Sequence, residues 1–122
     1  MSAEIERAAW SGYFKEFNQR NEHRATSLEI LGDLGAQESE HGLPFSGIAL
    51  EERGHDAPKL EIMLGGTTPA DARHLTHTIT HITHITPKRA ADGRDEVLEI
   101  QDATGSRTLL SFFALPELPP SA

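Results

Sequence analysis

Four histidines crowd one short stretch, His74, His77, His81 and His84, within His74-Leu75-Thr76-His77-Thr78-Ile79-Thr80-His81-Ile82-Thr83-His84-Ile85-Thr86. Neutral imidazole is a ready ligand for zinc, nickel or copper, so this stretch is the chain's main candidate for metal chemistry. Backbone conformation decides whether that chemistry is reachable. On a helix, His77 and His81 would lie about 6 Å apart and could share one ion. On a strand they would lie roughly 13–14 Å apart and could not. From Thr76 to Thr86, Thr and Ile supply eight of the eleven residues. Such β-branched side chains are restricted in helices and favoured on strands. A strand is therefore expected, broken or bulged near Thr80-His81-Ile82. A bulge could still pair His81 with His84, or His74 with His77. A third ligand would then come from His55, Asp56 or Asp71. The plainer expectation is solvent-facing histidines on a strand, or histidines at a protein interface.

Other catalytic arrangements are missing from the sequence. There is no Gly-rich phosphate loop, no H-E-x-x-H and no G-x-S-x-G. Glu51-Glu52 and the cluster Asp92, Asp95 and Glu96 read as solvated turns. No cysteine is present, which removes thiol chemistry and disulfides and fits a cytoplasmic protein. Net charge is −8, and the eleven Lys and Arg are scattered, with no run beyond Lys88-Arg89. That balance disfavours nucleic acid, whose binders carry a basic stripe. No apolar run is long enough to cross a membrane, and the start of the chain carries no signal-peptide pattern.

The elements that would position any site follow from periodicity. Trp10, Tyr13, Phe14 and Phe17 share one face of a helix over about 6–21. Gly12 inside it is unfavourable, so aromatic packing must compensate. The period then changes to two. Thr26, Leu28 and Ile30 mark a strand, and Gly32-Asp33-Leu34-Gly35 a turn. Residues 43–50 form a second strand whose apolar phase switches at Gly47, which predicts a bulge there. Leu60, Ile62 and Leu64 mark a third. Leu98 and Ile100, the turn Asp102-Ala103-Thr104-Gly105, and Thr108, Leu110 and Phe112 read as a hairpin. No second long helix is available as a crossover, so the sheet should be antiparallel. The expected class is α+β: an N-terminal helix followed by five to seven antiparallel strands forming a curled sheet or small barrel. Residues 1–114 form one domain and residues 115–122 a Pro-rich tail.

Several segments, in order along the chain, carry a resemblance. They are Trp10-Ser11-Gly12-Tyr13-Phe14-Lys15-Glu16-Phe17, Leu28-Glu29-Ile30-Leu31-Gly32, Gly35-Ala36-Gln37, Leu43-Pro44-Phe45-Ser46-Gly47-Ile48, His74-Leu75-Thr76-His77-Thr78-Ile79 and Leu98 to Leu110. Together they resemble a bacterial family of small acidic single-domain proteins described only as a domain of unknown function. The resemblance implies no activity. His74 and His77 match its His-x-x-His-Thr-Ile segment. His81 and His84 depart from it, where turn residues are usual, and this too puts a turn near Thr80-His81.

The expected function is a non-enzymatic binding or self-association module. It has no catalytic residue and no cofactor, and its partner is a protein or a second copy of itself. The alternative is a divalent-metal-binding protein using His74, His77, His81 and His84. Protonating all seven histidines would cancel seven of the eight net negative charges. Solubility should therefore fall steeply between about pH 7 and pH 5. A turbidity series across that window checks this, and a flat profile contradicts it.

Overall fold

The computed structural model describes residues 4–32, 35–66 and 74–113, with the side chains of residues 38–41 left aside. A 3₁₀ turn, Arg7–Ala9, leads into helix α1, Trp10–Asn21. Trp10, Phe14, Phe17 and Asn21 are its buried residues, the spacing of one helical face. Trp10 Nε1 donates to the Ile5 carbonyl at 2.9 Å, so the buried indole keeps its hydrogen bond. Gly12 lies on the exposed side with no atom within 4 Å of where a Cβ would stand.

Seven strands follow among the described residues: β1 Ala25–Gly32, β2 Gly35–Glu51, β3 Lys59–Gly65, β4 His74–Ile79, β5 Ile82–Arg89, β6 Asp95–Asp102 and β7 Arg107–Phe112. They form one antiparallel sheet in the order β4-β3-β2-β1-β7-β6-β5. The α+β reading holds, and the expected hairpin is β6–β7. The second strand is longer than expected, because β2 serves two neighbours. Residues Gly35 to Pro44 pair with β1. Residues Phe45 to Glu51 pair with β3, with a register shift between Phe45 and Gly47. The bulge at Gly47 thus lies where the long strand turns from one partner to the other.

That turn leaves backbone groups of β2 facing α1. The Asn18 amide takes both: Nδ2 donates to the Ile48 carbonyl and Oδ1 accepts from the Ile48 N–H, each at 2.9 Å. One side chain stands in for a neighbouring strand. Phe17 of α1 meets Phe45 and Phe112, with ring centroids 5.5–5.7 Å apart. Around them lies the core, including Leu28, Leu60, Ile62, Leu98, Ile100 and Leu110, each fully buried.

The sheet is curled but not closed. Its two edges, β4 and β5, are consecutive in the chain and are joined through Thr80 and His81. His81 has φ 53°, and its backbone is pinned by His81 N–H to Asp56 O and Ala103 N–H to His81 O. This is the expected break in the histidine stretch. Ile5 N–H donates to Ile85 O at 2.8 Å, so the segment before α1 lies along β5. Asp33, Leu34, Asp71 and the tail 115–122 lie outside the described residues.

Two stability changes follow. Gly12→Ala should stabilise by about 0.5–1 kcal/mol, since the site is helical, open and free of positive φ. Asn18→Ala should destabilise by about 1–3 kcal/mol, because it strips the partners from a buried backbone. Denaturant titration of each variant measures both.

Candidate functional site

The site begins with a carboxylate that the sequence hides. Asp95 opens β6 and is 5% exposed. It is not the solvated turn residue expected from its acidic neighbours but a buried one. A buried carboxylate must have its lone pairs filled. Arg20 donates through Nε to Oδ2 at 3.0 Å and through Nη2 to Oδ1 at 3.3 Å. Asn21 Nδ2 donates to Oδ2 at 2.9 Å. Arg24 Nη1 donates to the Asp95 carbonyl at 2.9 Å and to Asn21 Oδ1 at 2.8 Å. Burial pushes the Asp95 carboxyl upward, but the hydrogen bonds from Arg20 and Asn21 outweigh it and hold it below the usual carboxylate range. The same bond to Asp95 raises Arg20.

Aromatic rings carry the two guanidiniums. Arg20 lies 5.7 Å from the Tyr13 ring centroid and 5.9 Å from that of Phe17, and Arg24 lies 4.6 Å from that of Phe112. Tyr13 Oη is buried and makes no hydrogen bond among the described residues. Burial first, and the Asp95 charge second, push its hydroxyl up to about 12.

Between the end of α1 and the β5–β6 hairpin lies a cavity of about 480 Å³, lined by Arg20, Asn21, Arg24, Arg89, Gly93, Arg94 and Asp95. Arg89 ends β5 and Arg94 precedes β6, so the tight turn Ala90–Gly93 sets both on the pocket rim. Arg94 sits 3.8 Å from Asp92. Arg24 and Arg89 make no ion pair among the described residues. Four arginines thus converge on one pocket in a chain of net charge −8. The sequence does not announce the set because its two pairs, Arg20 with Arg24 and Arg89 with Arg94, are distant from each other in the chain. The local signals were the doublet Lys88-Arg89, with Arg94 five residues beyond Arg89, and the four-residue spacing of Arg20 and Arg24.

The structure does not gather the histidines in this way. On β4, His74 is exposed and His77 half-buried, on opposite faces of the strand. His77 faces inward beside Leu75 and Ile79, and burial lowers its pKa. His81 is exposed in the bend. His84 is exposed on β5, with Nδ1 2.9 Å from Thr83 Oγ1 and Nε2 3.5 Å from Glu4. His55 and Asp56 sit 3.3 Å apart on their loop. Among the described residues, no three His, Asp or Glu side chains form a group able to hold a metal ion.

The model of a family of unknown function, DUF5335, matches residues 1–121. The chain belongs to DUF5335. Membership brings no activity with it, so the site of this DUF5335 protein has to be argued from its own geometry. No curated protein and no solved structure matches the chain. No described helix is long and apolar enough to cross a membrane.

Asp95→Asn should lower stability at pH 7 by about 1.5–3 kcal/mol, the usual worth of hydrogen bonds to a charged group. The sign with pH follows from the lowered folded-state value. The carboxylate's contribution is full above its unfolded value near 3.8 and is lost as pH falls through the folded one. Melting curves from pH 6 to pH 2 should therefore converge for wild type and variant at the acid end.

Proposed function

We propose that this protein is a binding module, not an enzyme, and that it takes a compact anionic group in the arginine-lined pocket. The convergence of Arg20, Arg24, Arg89 and Arg94 on one cavity carries this reading. Guanidinium is suited to the task. It stays charged at all working pH values and presents a fork of donors to oxyanions. It is a poor proton-transfer group for the same reason, which favours binding over acid–base chemistry. Asp95, the one carboxylate lining the pocket among the described residues, is committed to Arg20 and Asn21.

Charge outside the pocket selects the kind of anion. With four arginines gathered here, the remaining surface is strongly acidic. An extended polyanion such as nucleic acid, or an anionic membrane, would meet repulsion beyond the pocket. A compact anion would not. It could be free or carried on a partner protein. A cytoplasmic home fits a cysteine-free chain.

Thermal and chemical denaturation with a panel of small oxyanions tests the reading. At one hundred times Kd, an anion that binds the folded state should raise stability by about 2.7 kcal/mol. Arg89→Gln together with Arg94→Gln should abolish that rise while leaving the ligand-free stability nearly unchanged, since both side chains are exposed. Equal stabilisation of wild type and double variant would contradict the assignment.

A further inference from the structure

The balance of charge within the pocket narrows the ligand further, resting on the anion-binding reading above. Arg20 is neutralised by Asp95, with which it forms a two-pronged contact. Arg94 is offset in part by Asp92 at 3.8 Å. Arg24 donates through Nη1 to neutral acceptors, the Asp95 carbonyl and the Asn21 amide oxygen. Arg89 has no ionic partner among the described residues. Arg24 and Arg89 thus make no direct ion pair among the described residues, Asp95 and Asp92 acting on Arg24 and Asp95 on Arg89 only from a distance, and Arg94 adds further donors at the rim.

A monoanion would leave Arg24 or Arg89 without a direct ionic partner. A dianion matches both. The lining arginines also come from two elements, the exit of α1 and the β5–β6 hairpin. That arrangement suits a tetrahedral group with oxygens in several directions better than a flat carboxylate, which a single fork satisfies. The cavity, at about 480 Å³, falls in the range that holds small organic molecules, so the oxyanion has room for an organic body. We infer that the pocket recognises the dianionic phosphoryl group of a small phosphate monoester.

The inference has a pH signature that the protein itself does not supply. Among the described residues the charged groups lining the pocket are Arg20, Arg24, Arg89, Arg94 and Asp95, with Asp92 and Glu96 beside Arg24 and Arg94 and Glu16 acting on Arg20. Arginines stay protonated and carboxylates as a class titrate below pH 5, and no histidine lines the cavity among the described residues. A phosphate monoester loses its second proton near pH 6. At pH 5 only about one-tenth of it is dianionic.

The test is calorimetric titration of the full chain with phenyl phosphate, benzoate and sulfate at pH 7.5 and pH 5. Phenyl phosphate should bind at least tenfold more tightly than benzoate at pH 7.5. Its affinity should fall several-fold at pH 5, while that of sulfate, dianionic throughout, stays level. Arg89→Gln with Arg94→Gln should lose phenyl phosphate binding and keep its fold by circular dichroism. Equal affinity for benzoate and phenyl phosphate, or a phenyl phosphate affinity unchanged between the two pH values, overturns this inference alone. Absence of binding by all three anions overturns the anion-binding reading with it.

Discussion

A carboxylate taken out of water forces its neighbours into place, and Asp95 does this between the two ends of the fold. Arg20 and Asn21 lie in the last turn of α1, and Asp95 opens β6. Satisfying the carboxylate fixes the angle at which helix meets hairpin. Arg24, bonded to the backbone of the same residue, is set by that contact as well. The concavity left between helix end and hairpin is the arginine pocket. Fold and site therefore share one interaction. With Arg20 committed inward, Arg24 and Arg89 line the cavity with no direct ion pair among the described residues.

Much of the architecture was legible in local patterns. The aromatic spacing from Trp10 to Phe17 names the buried face of α1. Alternation at Leu60, Ile62 and Leu64 names the inward side of β3. The change of apolar phase at Gly47 reads out the point where β2 changes partner. Each of these signals arises because burial imposes the period of its own element on nearby residues. The pocket obeys no such rule. Arg20 and Arg24 meet Arg89, Arg94 and Asp95 only because β7 and β6 fold back beside β1. Asp95 looked solvated because Asp92 and Glu96, its exposed neighbours, are. The partner that buries it lies 75 residues away.

The histidine stretch shows the same contrast from the other side. Its conformation was readable, since Thr and Ile crowd it and strands result on both sides of the bend at His81. Its promise as a ligand set came from spacing alone. Alternation along β4 sends His74 and His77 to opposite faces, and the bend carries the chain on to β5 at the other edge of the sheet. Clustering in sequence gave scatter in space, whereas scattered arginines became a cluster.

Side-chain resonances of arginine offer the most direct measurement of the central claim. A proton–nitrogen correlation spectrum of the arginine Nε–H groups, followed as phenyl phosphate is added, reports which guanidiniums meet the anion. The account predicts saturable shifts with one shared Kd for Arg24, Arg89 and Arg94. Shifts spread evenly over Arg7, Arg53 and Arg107, or no saturable shift at any arginine, would contradict it.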